Sequence, residues 1–218
     1  MAKWIKRIFT KENIKNNVTS TTGSLLTVLP TYATIETLVY GMDVNNSFYA
    51  RLASVALGYA GFGIIYKSLR KRSRHFFKVD KEDVSEKKKI AHDIAYNVAW
   101  GLLANTLVYT ASHFVSGTSL DKILVGVPAS SLVSIGLGPL SGYSLDTFLD
   151  FTGAERSDRK MPYNIKNAPR KVKRWLAAGM VAASILTTAG SYGIKQKFFP
   201  NTTIQQEVFR SLTQKSGK

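Results

Sequence analysis

The chain has 218 residues, with 30 Lys and Arg against 14 Asp and Glu, for a net charge of +16. It has no cysteine, which excludes disulfides and thiolate chemistry, and its three histidines are too widely spaced for a metal site. In a water-soluble protein this much positive charge would point to nucleic acid, but five stretches almost free of charge point to the lipid bilayer instead.

In chain order, residues 1–22 form a basic lead. Trp4, Ile5, Ile8 and Phe9 fall on one helical face among Lys3, Lys6, Arg7 and Lys11, which suits the headgroup boundary and anionic lipid. A disordered basic start is the alternative. Residues 23–42 are the first apolar span and carry one charge, Glu36. Residues 51–67 are the second, a short one that Arg51 and Lys67 extend by snorkelling. A basic loop follows, with Lys67, Arg70, Lys71, Arg72 and Arg74 at its start. Residues 93–115 and 123–147 are the third and fourth spans. A second basic loop covers 151–174, a fifth span 175–194 and a polar tail 195–218.

A helix that crosses the hydrocarbon core needs roughly 20 mostly apolar residues. The expected fold is therefore all-α, a polytopic transmembrane helical bundle of four core spans (the unit 23–150) plus a fifth. A soluble helical bundle would show polar residues at 3.6-residue intervals. Residues 123–145 and 175–194 offer only Ser, Thr, Gly and Tyr as polar interruptions. Gaps rich and poor in Lys and Arg alternate, which puts the N-terminus in the cytoplasm of a multi-pass protein of the cell membrane. Five crossings place the tail outside; four place it inside.

Charged groups within spans usually face a partner or a cavity. Glu36 lies near the outer end of the first span, and Arg51 opens the second at the same depth, so the two can pair. Asp93 opens the third span and Asp146 closes the fourth, both at the inner level, with His92 and Lys67 close by. Two polar clusters at opposite depths suit a pathway with two gates, and a carboxylate of the inner one is the candidate proton carrier. The plainer reading makes Asp93 and Asp146 helix-end residues in the headgroup layer. Tyr96, Asn97, Asn105 and Tyr143 are candidates to line a site for an amino-acid-sized solute, with helix packing as the alternative use. Gly138 and Gly142 form a small-xxx-small motif that lets two helices approach closely. Pro30, Pro128 and Pro139 are candidate kinks. No nucleophile–base pair or phosphate-cradling loop is present, so neither an enzyme nor a cofactor is expected.

Several of these residues occur in a familiar order. Ile35-Glu36, Gly41-Met42 and Ser47-Phe48-Tyr49-Ala50-Arg51-Leu52 resemble the opening of the bacterial L-alanine exporter family (AlaE-type). Asp93-Ile94 with Ala95-Tyr96 resembles that family's Asp-Ile-Leu-Ala-Tyr with one residue fewer. Val133-Ser134, Gly138 with Gly142, and Gly142-Tyr143-Ser144-Leu145-Asp146 resemble its last helix. The likeness runs from about residue 20 to 150. It implies a small four-helix inner-membrane exporter of L-alanine, driven by the proton gradient and self-associating through the glycine motif. It also implies that Arg51 and Asp93 fall where the family has charged residues important for export, and that Glu36 and Asp146 match family positions. The longer basic loop, the fifth span and the tail depart from it.

The expected function is a secondary transporter exporting L-alanine or a similar small neutral amino acid. Its partners would be the amino acid, protons, the lipid bilayer and further copies of itself as a homo-oligomer, but no nucleic acid. The alternative is a non-transporting membrane adaptor whose basic loops bind anionic lipid or a partner.

Overall fold

The computed structural model describes residues 11–81, 83–116 and 120–199. Part of the expected amphipathic lead (1–10) and the tail beyond 199 lie outside the described residues. Helix α1 is Lys11–Thr34 and runs into a π-helical turn, Ile35–Val39. Helix α2 is Val44–Leu57, a second π-helical turn is Gly58–Phe62, and α3 is Gly63–Phe76; the three follow without a gap. Helix α4 is Glu86–Ser116, α5 is Leu120–Thr152, the short α6 is Tyr163–Lys166 and α7 is Arg170–Phe198. There is no strand among the described residues.

Helices α4 and α5 make the longest contact in the molecule. They run antiparallel: Asp93 meets Gly142, Asn97 meets Ser141, and Gly101 meets Ser134. Helix α1 packs on α5 and α7, α2 packs on α4, and α3 packs on α1. The chain reverses between α1 and α2 at Gly41, whose φ of 66° is the left-handed conformation that glycine adopts without strain. Asp43 then caps α2, its carboxylate accepting the Asn45 backbone N–H at 2.8 Å.

The distribution of polarity is inverted relative to a water-soluble protein. Glu36, Asp93, Ser47, Lys89 and Arg159 are buried, as are Arg51 and Arg70. Phe48, Leu52, Leu103, Leu132, Ile185 and Leu186 are exposed. An apolar exterior on this scale needs an apolar solvent or a partner. Among the described residues two stretches are long and apolar enough, by length and composition, to cross a bilayer: Val44–Phe76 and Arg170–Phe198. The sequence led us to expect five. Helix α4, of 31 residues, is long enough for the roughly 30 Å core, but it carries His92, Asp93, Asn97 and Asn105 along its inward face.

The helices also outrun the expected spans. Arg51 was expected at the mouth of a helix, yet α2 starts at Val44 and Arg51 sits about two turns inside it. Asp93 likewise lies two turns into α4, and Asp146 lies well before the end of α5. A charged side chain can occupy mid-helix when its neighbours neutralise it, so charge was a poor marker of the ends. The breaks do not fall at the prolines either. Pro30, Pro128 and Pro139 are inside continuous helices. The one described break with non-helical backbone is Gly61, with φ 129° and ψ −10°. Only glycine enters that region readily. Helix α1 braces the break: Thr21 Oγ1 donates to Gly58 O at 2.9 Å, an oxygen that also accepts the Gly63 N–H, and Asn17 Nδ2 donates to Tyr59 O at 2.8 Å.

Candidate functional site

Two buried charge clusters stand at opposite ends of the bundle. In the first, the Glu36 carboxylate is held by three side chains. Arg51 Nη2 donates to Oε1 at 2.6 Å, the Tyr109 hydroxyl donates to the same oxygen at 2.7 Å, and Ser47 Oγ donates to Oε2 at 2.8 Å. The π-helical turn at Ile35–Val39 carries Glu36 to this point, α2 brings Ser47 and Arg51, and α4 brings Tyr109. The Arg51 guanidinium also lies 4.8 Å over the Tyr32 ring, a cation–π contact.

The second cluster is larger. Arg70 Nη1 donates to Asp146 Oδ1 at 2.7 Å and Nη2 to Asp146 Oδ2 at 2.9 Å. The same guanidinium reaches Asp93, with Nε to Oδ1 and Nη2 to Oδ2, both at 3.1 Å. Arg159 enters from the loop after α5: its Nε donates to Asp146 Oδ2 at 2.8 Å, and it also bonds Asp93 and Glu86. Arg74 joins Asp146 at 3.3 Å to Asp158 at 2.5 Å, and Lys89 reaches Asp158 at 3.3 Å. Four carboxylates thus meet four cations. Forked guanidinium–carboxylate pairs of this kind are the strong members of the ion-pair class.

Asp93 and Asp146 come together, and of the two groups expected close by only Lys67 lies elsewhere. Lys67 pairs with Glu155 at 2.7 Å instead, while His92 is beside Asp93 at 3.4 Å and Ser73 at 2.8 Å. Arg70, Arg74, Lys89 and Arg159 had been read as loop charge, because they fall in the basic gaps. The four-residue spacing of Arg70 and Arg74, which puts both on one helix face, was the available signal. Nothing in the sequence singled out Arg159.

Burial works to raise the Glu155 pKa, but hydrogen bonds and charge from Lys67 and Lys71 outweigh it and hold the carboxyl below its ordinary 4.5. A carboxyl with a depressed folded pKa stabilises the fold above its unfolded pKa and loses that effect as pH falls through the folded one. Stability measured on acidification below about pH 4.5 is therefore expected to fall less steeply in Glu155→Gln than in the native chain.

Between the clusters lies a cavity of about 110 Å³. Tyr32, Arg51, Asn97, Trp100, Asn105, Ser134 and Ser141 contribute to its wall, and Gly58, Phe62 and Gly63 of the broken helix close one side. Its polar groups are interlinked: the Tyr32 hydroxyl lies 3.1 Å from Ser134 Oγ and accepts from Asn105 Nδ2 at 3.2 Å. Asn97 Oδ1 accepts from Tyr66 at 3.1 Å and from Ser141 at 3.0 Å. Of the four lining candidates, Asn97 and Asn105 face this space. Tyr96 instead donates to Tyr66 O at 2.8 Å, and Tyr143 donates to Lys160 O at 3.0 Å near the surface.

The glycines are used within the chain. A Cβ on Gly138 would lie 2.5 Å from Ile94 Cα, and one on Gly142 would run into the Asp93 carboxylate. This face, expected to take up a second copy, is already covered by α4. Gly138→Ala should cost about 1–3 kcal/mol, because the obstruction is backbone; unfolding in detergent would show it.

A curated protein of Vibrio cholerae serotype O1, named L-alanine exporter AlaE, is 30% identical over 115 residues, covering 51% of this chain and 70% of its own length. The chain belongs to the AlaE-type family. No family model matches it, and no solved structure does. The AlaE-type membership and the two long apolar helices together suggest a membrane protein, and the function suggested is amino-acid export. The AlaE relative matches about half of this chain.

Proposed function

We propose that the protein is a multi-pass transporter of the cell membrane that exports L-alanine or a similar small neutral amino acid. The observation that carries this is the small, largely apolar cavity with a few polar groups, bounded at one end by Arg51 of the Glu36 pair and leading through Asn97 and Ser141 towards the Asp93–Asp146 network. A solute site at mid-depth, walled partly by a broken helix, is a common arrangement in secondary transporters. Its volume accommodates several water molecules, so it suits a solute of few heavy atoms. In this reading α1 to α5 are the transport unit, with α2 and α3 as one crossing, and α7 is a fifth crossing that covers α1. The Glu36–Arg51 pair closes the outer end, and the Arg70–Asp93–Asp146–Arg159 network closes the inner end.

Beyond the inner network a wider recess of about 750 Å³ is lined by Lys67, Lys71, Arg72, His75 and Arg156. It forms the cytoplasmic approach. Export is driven by the proton gradient, and Glu36 is the better candidate to carry the proton. It faces one cation, whereas Asp93 and Asp146 share Arg70 and Arg159. This moves the expected carrier from the inner cluster to the outer one.

Counterflow of labelled L-alanine into proteoliposomes tests the proposal. Uptake against preloaded alanine, increased by an imposed pH gradient, is the expected result. No uptake of alanine or of any other small neutral amino acid would overturn it.

A further inference from the structure

We propose that Arg51 is the receptor for the substrate's carboxylate, so that the cavity selects zwitterionic α-amino acids over amines and amides. The inference rests on the transport reading and adds the group that recognises the substrate. Among the described residues lining the cavity, Arg51 is the one charged side chain. Its counter-ion does not face the cavity: both Glu36 oxygens are engaged by Arg51, Tyr109 and Ser47, behind the wall. The cavity therefore presents one positive group and no opposing carboxylate.

The second observation concerns Arg51 Nε. It is buried and has no hydrogen-bond partner. A guanidinium N–H withheld from water and left without an acceptor is unfavourable, and a carboxylate oxygen is its natural complement. Tyr32 holds the guanidinium plane from one side. It is itself fixed by Asn105 and Ser134, so the donor is preorganised.

The other half of the ligand follows from what remains. With no acidic wall, an ammonium group is received by dipoles and ring faces, which Asn105, Ser134 and Trp100 supply. The remaining space is small and partly apolar, with Val108 and Leu137 in the wall, which leaves room for a short side chain.

The test uses the full-length protein in detergent, with equilibrium binding of labelled L-alanine read by scintillation proximity. L-alaninamide keeps the ammonium and the methyl group but lacks the carboxylate. It is expected to compete at least a hundredfold more weakly than unlabelled L-alanine. Arg51→Lys, which keeps the charge opposite Glu36 but removes Nε, is expected to weaken L-alanine binding at least tenfold. Equal competition by L-alaninamide overturns the proposal, as does the absence of L-alanine binding to the native protein. Binding that depends on the carboxylate without any counterflow would uphold this inference and overturn only the transport reading.

Discussion

Arg70→Ala is expected to destabilise the folded chain by about 3–5 kcal/mol, the usual range when one partner of a buried ion pair is removed. Arg70 is buried and donates to both Asp93 and Asp146. Without it, Asp146 would depend on Arg159 and Arg74, and Asp93 on Arg159 and the neighbouring His92. Lys71 is the control. It lies one residue away, but its side chain is 72% exposed and it pairs with a half-exposed Glu155. Lys71→Ala should change stability by less than about 1 kcal/mol. Urea or thermal unfolding in detergent micelles measures both. If the two variants unfold alike, the inner network is not the structural clamp described.

The second large effect separates stability from transport. Glu36→Ala leaves the Arg51 guanidinium buried without its carboxylate, and about 3–5 kcal/mol of stability should go with it. Replacing both partners by apolar residues, as in Glu36→Leu with Arg51→Leu, is often neutral or stabilising for a buried pair. The double variant should therefore recover most of the lost stability. It should not recover counterflow, because it has lost the outer ion pair and the charged group of the cavity. A double variant that is stable and transports would show that the pair serves packing alone.

Much of this arrangement was legible before the structure. Once the spans are given alternating directions, Glu36 and Arg51 fall at one depth and Asp93 and Asp146 at another, and the structure places each pair in one cluster. The helix ends were less legible. Arg51, Asp93 and Asp146 were read as end markers because an isolated charge is costly in lipid, whereas here each has a partner that pays that cost. The same reasoning hid Arg70 and Arg159. Counting Lys and Arg per gap orients a membrane protein, but it treats every basic residue as solvated. Arg159 is the extreme case, since it lies 66 residues from Asp93 and is brought to it by the loop after α5. The break at Gly58–Phe62 was also missed: prolines drew attention, while the chain bends at Gly61, which has open space beside it.

The most direct test of the cavity as the transport site is to fill it. Ala104 lines the cavity, and Ala104→Phe adds bulk there without removing a hydrogen bond or a charge. Filling a void commonly leaves a fold as stable as before or more so. L-alanine counterflow in proteoliposomes should then fall at least tenfold while the unfolding midpoint in detergent holds or rises. Native counterflow from a fully folded Ala104→Phe protein would contradict the assignment of this cavity as the path of the substrate.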